Sequence, residues 1–296
     1  VPTSTAMPIS LLVRHILQHA ENIDEAMDIA KACQTFVSES ILVASARDKR
    51  AAIIEKTPKE TYLYTTDATH IICTNHYQSD SFADNKYNVD NIATSDSKYR
   101  FDRLSELIEC NTPLDAQKSI DILRNRYGLH NEDIGLTNEK SINQFIAHHS
   151  VVFEPEKLKM WVSTSPWQCG AFLCYDLNEV FASDDAATCS TAIANERIPA
   201  DSLFLRYDLN RIEAFRRQTA KLRQAMDKHI ALPHDFINVY IDNNLNYYLV
   251  YDMAGDYELT QNHVELAKTY WELALTKEIP HQSTKRNIEK KLKRHD

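Results

Sequence analysis

The apolar positions between Ser10 and Cys33 recur three and four residues apart, at Leu11, Leu12, Ile16, Leu17, Ile23, Ala26, Met27 and Ile29. That spacing predicts a helix, a break and a second helix, with Asp24 and Glu25 opening the second after Asn22. The period then shortens. Ser40 to Ala46 and Ala51 to Glu55 are short apolar runs, rich in β-branched residues, on either side of the charged tetrapeptide Arg47-Asp48-Lys49-Arg50, which predicts a hairpin. Tyr62 to Tyr64 and Thr69 to Thr74 are expected to continue the meander, antiparallel because connections this short make no parallel crossover.

Beyond Ser95 the pattern returns to helix, with one stripe at Tyr99, Leu104, Leu107 and Ile108 and another from Ala116 to Tyr127, started by Thr112-Pro113. Phe145 to Phe153, Lys159 to Ser163 and Ala171 to Tyr175 read as strands. Asn178 to Pro199 is rich in Ala, Ser, Thr and Asp and marks the expected linker, residues 178–204. After Leu205 the reading is helical throughout: Leu209 to Ile230, Pro233 to Met253, Thr260 to Thr276 and Lys285 to His295. Tyr251, Gly255, Ala267, Trp271 and Ala274 fall at the intervals of a tetratricopeptide repeat, whose small residues let two helices close around an aromatic. An ordinary helical hairpin fits the same spacing.

Composition narrows the function classes. A chain of 296 residues buries roughly three quarters of its unfolded surface on folding, and 43% hydrophobic with 25% charged residues is a globular balance. Four Gly and nine Pro leave no GxGxxG or Walker cradle for phosphates. A net charge of -9 argues against nucleic-acid and anionic-membrane partners, and no apolar run is long enough to span a bilayer. Val1 opens without signal-peptide character, so the protein is expected to be cytosolic or to carry its targeting segment, periplasmic or secretory, outside this sequence. Cys33, Cys73, Cys110, Cys169, Cys174 and Cys189 show no CxxC spacing, which favours buried or semi-buried thiols over a metal cluster or a disulfide framework. The basic end, Lys285 to Arg294, reads as a solvated face near a helix C-terminus.

Two segments carry candidate chemistry. Thr74-Asn75-His76-Tyr77 ends the expected strand Thr69 to Cys73. An Asn carboxamide there donates two hydrogen bonds, which suits a developing oxyanion, and His76 exchanges protons near neutral pH. A turn-forming Asn and a surface His are the alternative. In Ser95-Asp96-Ser97-Lys98-Tyr99-Arg100, Ser or Asp is expected to cap a helix. Arginine near a helix start runs against the macrodipole, so Arg100 is expected to have a specific anionic or carbonyl partner. His148 and His149 face opposite ways on an expected strand, and His15 and His19 lack a nearby acid of the HExxH kind, so no metal and no cofactor is expected.

Taken in order, the run from Val43 to Tyr77 (with AAIIEKTP and IICTNHY), then SDSKYRFDRLSELI and HHSVVFEPEKLKMWVS, resembles the N-terminal-nucleophile (Ntn) hydrolases. The branch is that of isopenicillin N acyltransferase, a relative of the choloylglycine hydrolases, and the likeness covers Ile9 to Tyr175. It implies an α+β fold, an αββα sandwich of antiparallel sheets, here incomplete and followed by an all-helical, tetratricopeptide-like extension. It also implies acyl transfer at an amide or thioester by the thiolate of an N-terminal Cys exposed by self-cleavage, whose α-amino group, with a pKa of about 8, is the base. Carried over, Asn75 matches the oxyanion-stabilising Asn and Arg100 the arginine beside the nucleophile; Ser97, His76 and Tyr77 would lie on the substrate side.

The departure is at the start, where Val1-Pro2-Thr3-Ser4-Thr5 offers no terminal nucleophile. The expectation is therefore that residues 1–177 are the C-terminal part of an Ntn-type acyltransferase or amidohydrolase domain, residues 178–204 a linker, and residues 205–296 the helical extension. The expected partners are a small-molecule amide or acyl substrate, the missing N-terminal segment that carries the nucleophile, and a peptide or protein at the helical tail. A catalytically inactive relative whose tail is an interaction module is the alternative.

Overall fold

The first two helices form where the apolar spacing puts them. In the computed structural model, which describes residues 6–182 and 196–295, α1 (Ile9–His19) and α2 (Ile23–Ala32) are separated by a cap in which the Asn22 side chain accepts from the Glu25 backbone N–H. Glu25 in turn accepts from the Glu21 N–H at 2.8 Å, so orphan donors at the helix start are satisfied on both sides. The hairpin follows as β1 (Glu39–Ser45) and β2 (Arg50–Lys56), turned at Lys49 with a φ of 52°, and β3 (Thr61–Tyr64) completes an antiparallel sheet in the order β1-β2-β3. Ile41 lies opposite Ile54, and Ile54 opposite Leu63. This face packs on α1 and α2 through Leu12, Ile16, Ala26, Met27 and Ala30. Residues up to Phe101, with Glu154–Leu158, make one unit; Asp102–Phe153 and the residues from Lys159 onward make the other.

Thr69 to Thr74 does not continue the meander. It is irregular, because the carbonyl of buried Ile72 is taken by the Gln78 side chain at 2.7 Å rather than by a neighbouring strand. Two helices follow: α3 (Lys86–Thr94), which the apolar pattern had not shown and which Asn85 caps through the Tyr87 and Asn88 N–H groups, and α4 (Ser97–Asn111). α5 (Ala116–Leu123) is capped by Asp115 rather than started at Thr112-Pro113, and ends short of the expected Tyr127.

Further along, β4 (Val151–Glu154), β5 (Lys159–Ser163) and β6 (Phe172–Asp176) make another three-stranded sheet, β5 and β6 antiparallel with Trp161 opposite Cys174. β4 begins later than the alternation predicts. Phe145 adopts a φ of 55° and turns its ring into the core against Phe204 at 5.0 Å, so the stretch with His148 and His149 is irregular and not a strand. The short helix α6 (Leu177–Ala182) enters the expected linker, whose residues 183–195 lie outside the described residues, and Ile198 pairs back onto Phe172.

The C-terminal region is helical: α7 (Leu209–Lys228), α8 (Phe236–Asp242), α9 (Tyr248–Thr260), α10 (Val264–Leu275) and α11 (Gln282–His295). The expected helix Pro233 to Met253 is broken between α8 and α9, where the buried Asn244 side chain bonds both the N–H (2.8 Å) and the carbonyl (2.7 Å) of Leu136. α9 and α10 close around Trp271. A Cβ on Gly255 would lie 2.5 Å from the Trp271 Nε1 and 2.9 Å from the Ala267 carbonyl. The whole is a mixed α/β fold with two small sheets and a helical C-terminal region.

Candidate active site

The irregular segment from Ile72 to Ser79 is held from both sides by side chains that the neighbouring elements supply. Glu55, at the end of an apolar strand and fully buried, accepts from the Gln78 N–H, from the Ser79 N–H and, at 2.6 Å, from the Ser79 hydroxyl. On α3, Asn88 pairs with the backbone of Tyr77, accepting its N–H at 2.8 Å and donating to its carbonyl at 3.0 Å. The Tyr77 hydroxyl donates to the Lys56 carbonyl at 2.7 Å while its ring stacks on Phe82, and burial pushes this phenol up from its ordinary pKa. Asn91, one turn further along α3, donates its carboxamide N–H to the carbonyl of Asn75. Buried polar groups paired this completely specify one conformation of an otherwise irregular chain.

Asn75 sits exposed at the crest of this segment, and its carboxamide is oriented by Arg100. The Arg100 Nη2 donates to the Asn75 Oδ1 at 2.6 Å, and its Nε donates to the Asp96 Oδ2 at 2.8 Å, one turn back across the start of α4. Arg100 therefore has both an anionic and a carbonyl-type partner. Because a guanidinium only donates, the amide oxygen of Asn75 must face it, and the amide nitrogen, with two donors, is turned away from it. Beside this pair the His76 Nδ1 lies 2.8 Å from the Ser97 Oγ and 3.0 Å from the Thr74 Oγ1, and the His76 ring packs on Phe101.

Asn75, His76, Tyr77 and Arg100 all line one cavity of about 800 Å³, together with Glu39, Lys59 and Glu60 at the end of the first sheet. Ser97, fully buried, is not among the lining residues and reaches the cavity through His76 and Thr74, which line it. Cys73 also lines it, but desolvation, reinforced by Glu55 and Glu39, pushes its thiol up to about 11, so near neutral pH it is protonated and a poor nucleophile. Elsewhere burial pushes Cys169 up to about 12 and raises Cys174. The His15 and His19 rings lie 4.6 Å apart between centroids, tilted by 60°, and among the described residues no group of three or more His, Cys, Asp or Glu side chains could hold a metal ion.

Sequence reasoning did not single out Asp96, Asn88, Asn91 or Glu55 as part of this site. Asp96 had a signal, an acid four residues before an arginine on an expected helix. Glu55 had one too, a lone carboxylate closing the run Ala51 to Ile54. The two asparagines of α3 had none, because the helix that aims them was itself invisible to the apolar pattern.

Three comparisons with known proteins complete these findings. The family model described as acyl-coenzyme A:6-aminopenicillanic acid acyl-transferase matches residues 2–165, more than half of the 296 residues and the stretch that holds the whole cavity lining. No curated protein and no solved structure matches the chain.

Proposed function

From its membership of the acyl-coenzyme A:6-aminopenicillanic acid acyl-transferase family, an Ntn-hydrolase-like family to which this chain belongs, we propose that the protein is a cysteine acyltransferase or amidohydrolase in which Asn75 and Arg100 are catalytic residues. Membership gives an acyl-transfer type of activity in general; the roles below are the proposal. A thiolate adds to the acyl carbonyl of an amide or thioester, and the carbonyl π electrons move to oxygen. The Asn75 amide nitrogen donates to that oxyanion. The tetrahedral adduct collapses, the C–N or C–S bond breaks, and the leaving amine or thiol takes a proton. The acyl group, now on sulfur, passes to an amine or to water.

The observation that carries this reading is the Arg100 to Asn75 hydrogen bond at 2.6 Å on the cavity wall. It orients an amide donor before charge develops, and preorganised donors of this kind need no rearrangement at the moment of reaction. The nucleophile is proposed to lie on a segment outside the sequence given, exposed by self-cleavage, since the one described cysteine of the cavity is held protonated. His76 and Tyr77 belong to the substrate-side wall. The close approach of Gly255 to Trp271 supports a tetratricopeptide-like reading of the tail and a peptide or protein partner there.

The experiment is an acyl-transfer assay on the full-length product, with acyl-coenzyme A thioesters followed by thiol release and N-acyl amides followed by amine release. Turnover with an acyl-enzyme trapped on sulfur, lowered on the order of a hundredfold or more in Asn75→Ala, is the expected result. Turnover that is unchanged in Asn75→Ala would refute the assignment.

A further inference from the structure

Asn75 is exposed, and a single hydrogen bond to Arg100, whose net contribution is modest, is little against the freedom of an exposed side chain and loop. Something else must hold the two in register. Asn91 on α3 takes the Asn75 carbonyl, and the residues on either side of Asn75 tie the segment to α4 itself. Thr74 and His76 both bond Ser97, the first residue of α4, at 3.2 Å between hydroxyl oxygens and at 2.8 Å from the His76 Nδ1, and they bond each other at 3.0 Å. The three groups close a triangle whose members are fully buried at Ser97 and 8% exposed at His76. Ser97 stands three residues before Arg100 on the same helix, so about 4.5 Å of helical rise rigidly links the anchor of the Asn75 segment to the guanidinium that the Asn75 oxygen meets.

We infer that His76 is a positioning residue: through Ser97 it holds the Asn75 backbone against the start of α4, so that the carboxamide keeps its oxygen on Arg100 and its nitrogen toward the cavity. The consequence for turnover rests on the acyl-transfer reading, but the positioning does not. The triangle closes on one ring atom. Only Nδ1 meets both hydroxyls, and an Asn side chain places a polar atom near that position, whereas Gln places one nearer to Nε2. Asn should replace His76 in this role and Gln should not.

The test is side-chain relaxation of Asn75 by ¹⁵N nuclear magnetic resonance in the full chain, the carboxamide being assigned by its disappearance in Asn75→Ala. The wild-type carboxamide order parameter is expected close to that of rigid backbone, about 0.85, falling into the flexible range below about 0.6 in Ser97→Ala and His76→Gln and staying near the wild-type value in His76→Asn. Ser97→Ala removes a single oxygen and keeps the measurement decisive should His76→Gln fail to fold. A mobile carboxamide in the wild type, or one as rigid in Ser97→Ala as in the wild type, overturns the inference, as does loss of rigidity in His76→Asn. No substrate enters the measurement, so it can fail while Asn75→Ala still abolishes turnover, and it can succeed on a protein that turns nothing over.

Discussion

The segment around Asn75 and the α9–α10 pair are both tightly specified, by opposite means. Around Asn75 the chain has no regular secondary structure, and buried polar side chains hold it: Glu55, Asn88, His76 and Ser97. In the tail the contact is one of shape. Trp271 is buried against Gly255 and Ala267, where a single added methyl would collide, and its indole N–H donates to Asp256 at 3.1 Å. Hydrogen bonds tie an exposed carboxamide down while leaving it facing a cavity; close packing must bury whatever it fixes. A site that has to meet substrate is therefore built in the first way, and a scaffold in the second.

The difference can be broken most visibly in the tail. Trp271→Ala is expected to destabilise the helical region by about 3–5 kcal/mol, through the cavity it leaves and the loss of its bond to Asp256, in chemical denaturation followed by circular dichroism. In the site, Glu55→Gln is expected to cost less, about 1–3 kcal/mol, because one acceptor oxygen becomes a donor facing donors at Gln78 and Ser79; the same denaturation experiment reads it. An effect as large as that of Trp271→Ala would mean that the site segment is packed like the tail and not merely tied.

What could be read from the residues follows the same division. Apolar periodicity placed α1, α2, β1, β2 and most of α4 within a residue or two, because those elements bury one face on their neighbours. Thr69 to Thr74 looked like a strand because Ile71 and Ile72 are β-branched and apolar, yet the Ile72 carbonyl is satisfied by a side chain, an arrangement that periodicity does not encode. The break between α8 and α9 depends on Asn244 meeting Leu136, 108 residues away, and no local signal marks it. At the site Asn75 and Arg100 stood out by residue type and by the cost of an arginine at a helix start. Their convergence depends on Ser97, His76 and two asparagines of a helix with too few apolar residues to be noticed.

A smaller effect sharpens the chemistry of the cavity. Cys73 is expected to alkylate with iodoacetamide at pH 8 on the order of a hundredfold more slowly than the exposed Cys110, its rate rising about tenfold per pH unit until pH approaches about 11, since only the thiolate reacts. Mass spectrometry of the labelled peptides reads both sites at once. Equal rates at the two cysteines would return Cys73 to contention as a nucleophile.

The most direct measurement is a double-mutant cycle on turnover by the full-length product, with Asn75→Ala, Arg100→Ala and the two together. If the guanidinium acts by aiming the carboxamide, the pair works as a unit, and the double variant loses about as much kcat as the worse single variant, on the order of a hundredfold. Losses that multiply would make the two residues independent, and single variants that keep full kcat would remove both from the reaction.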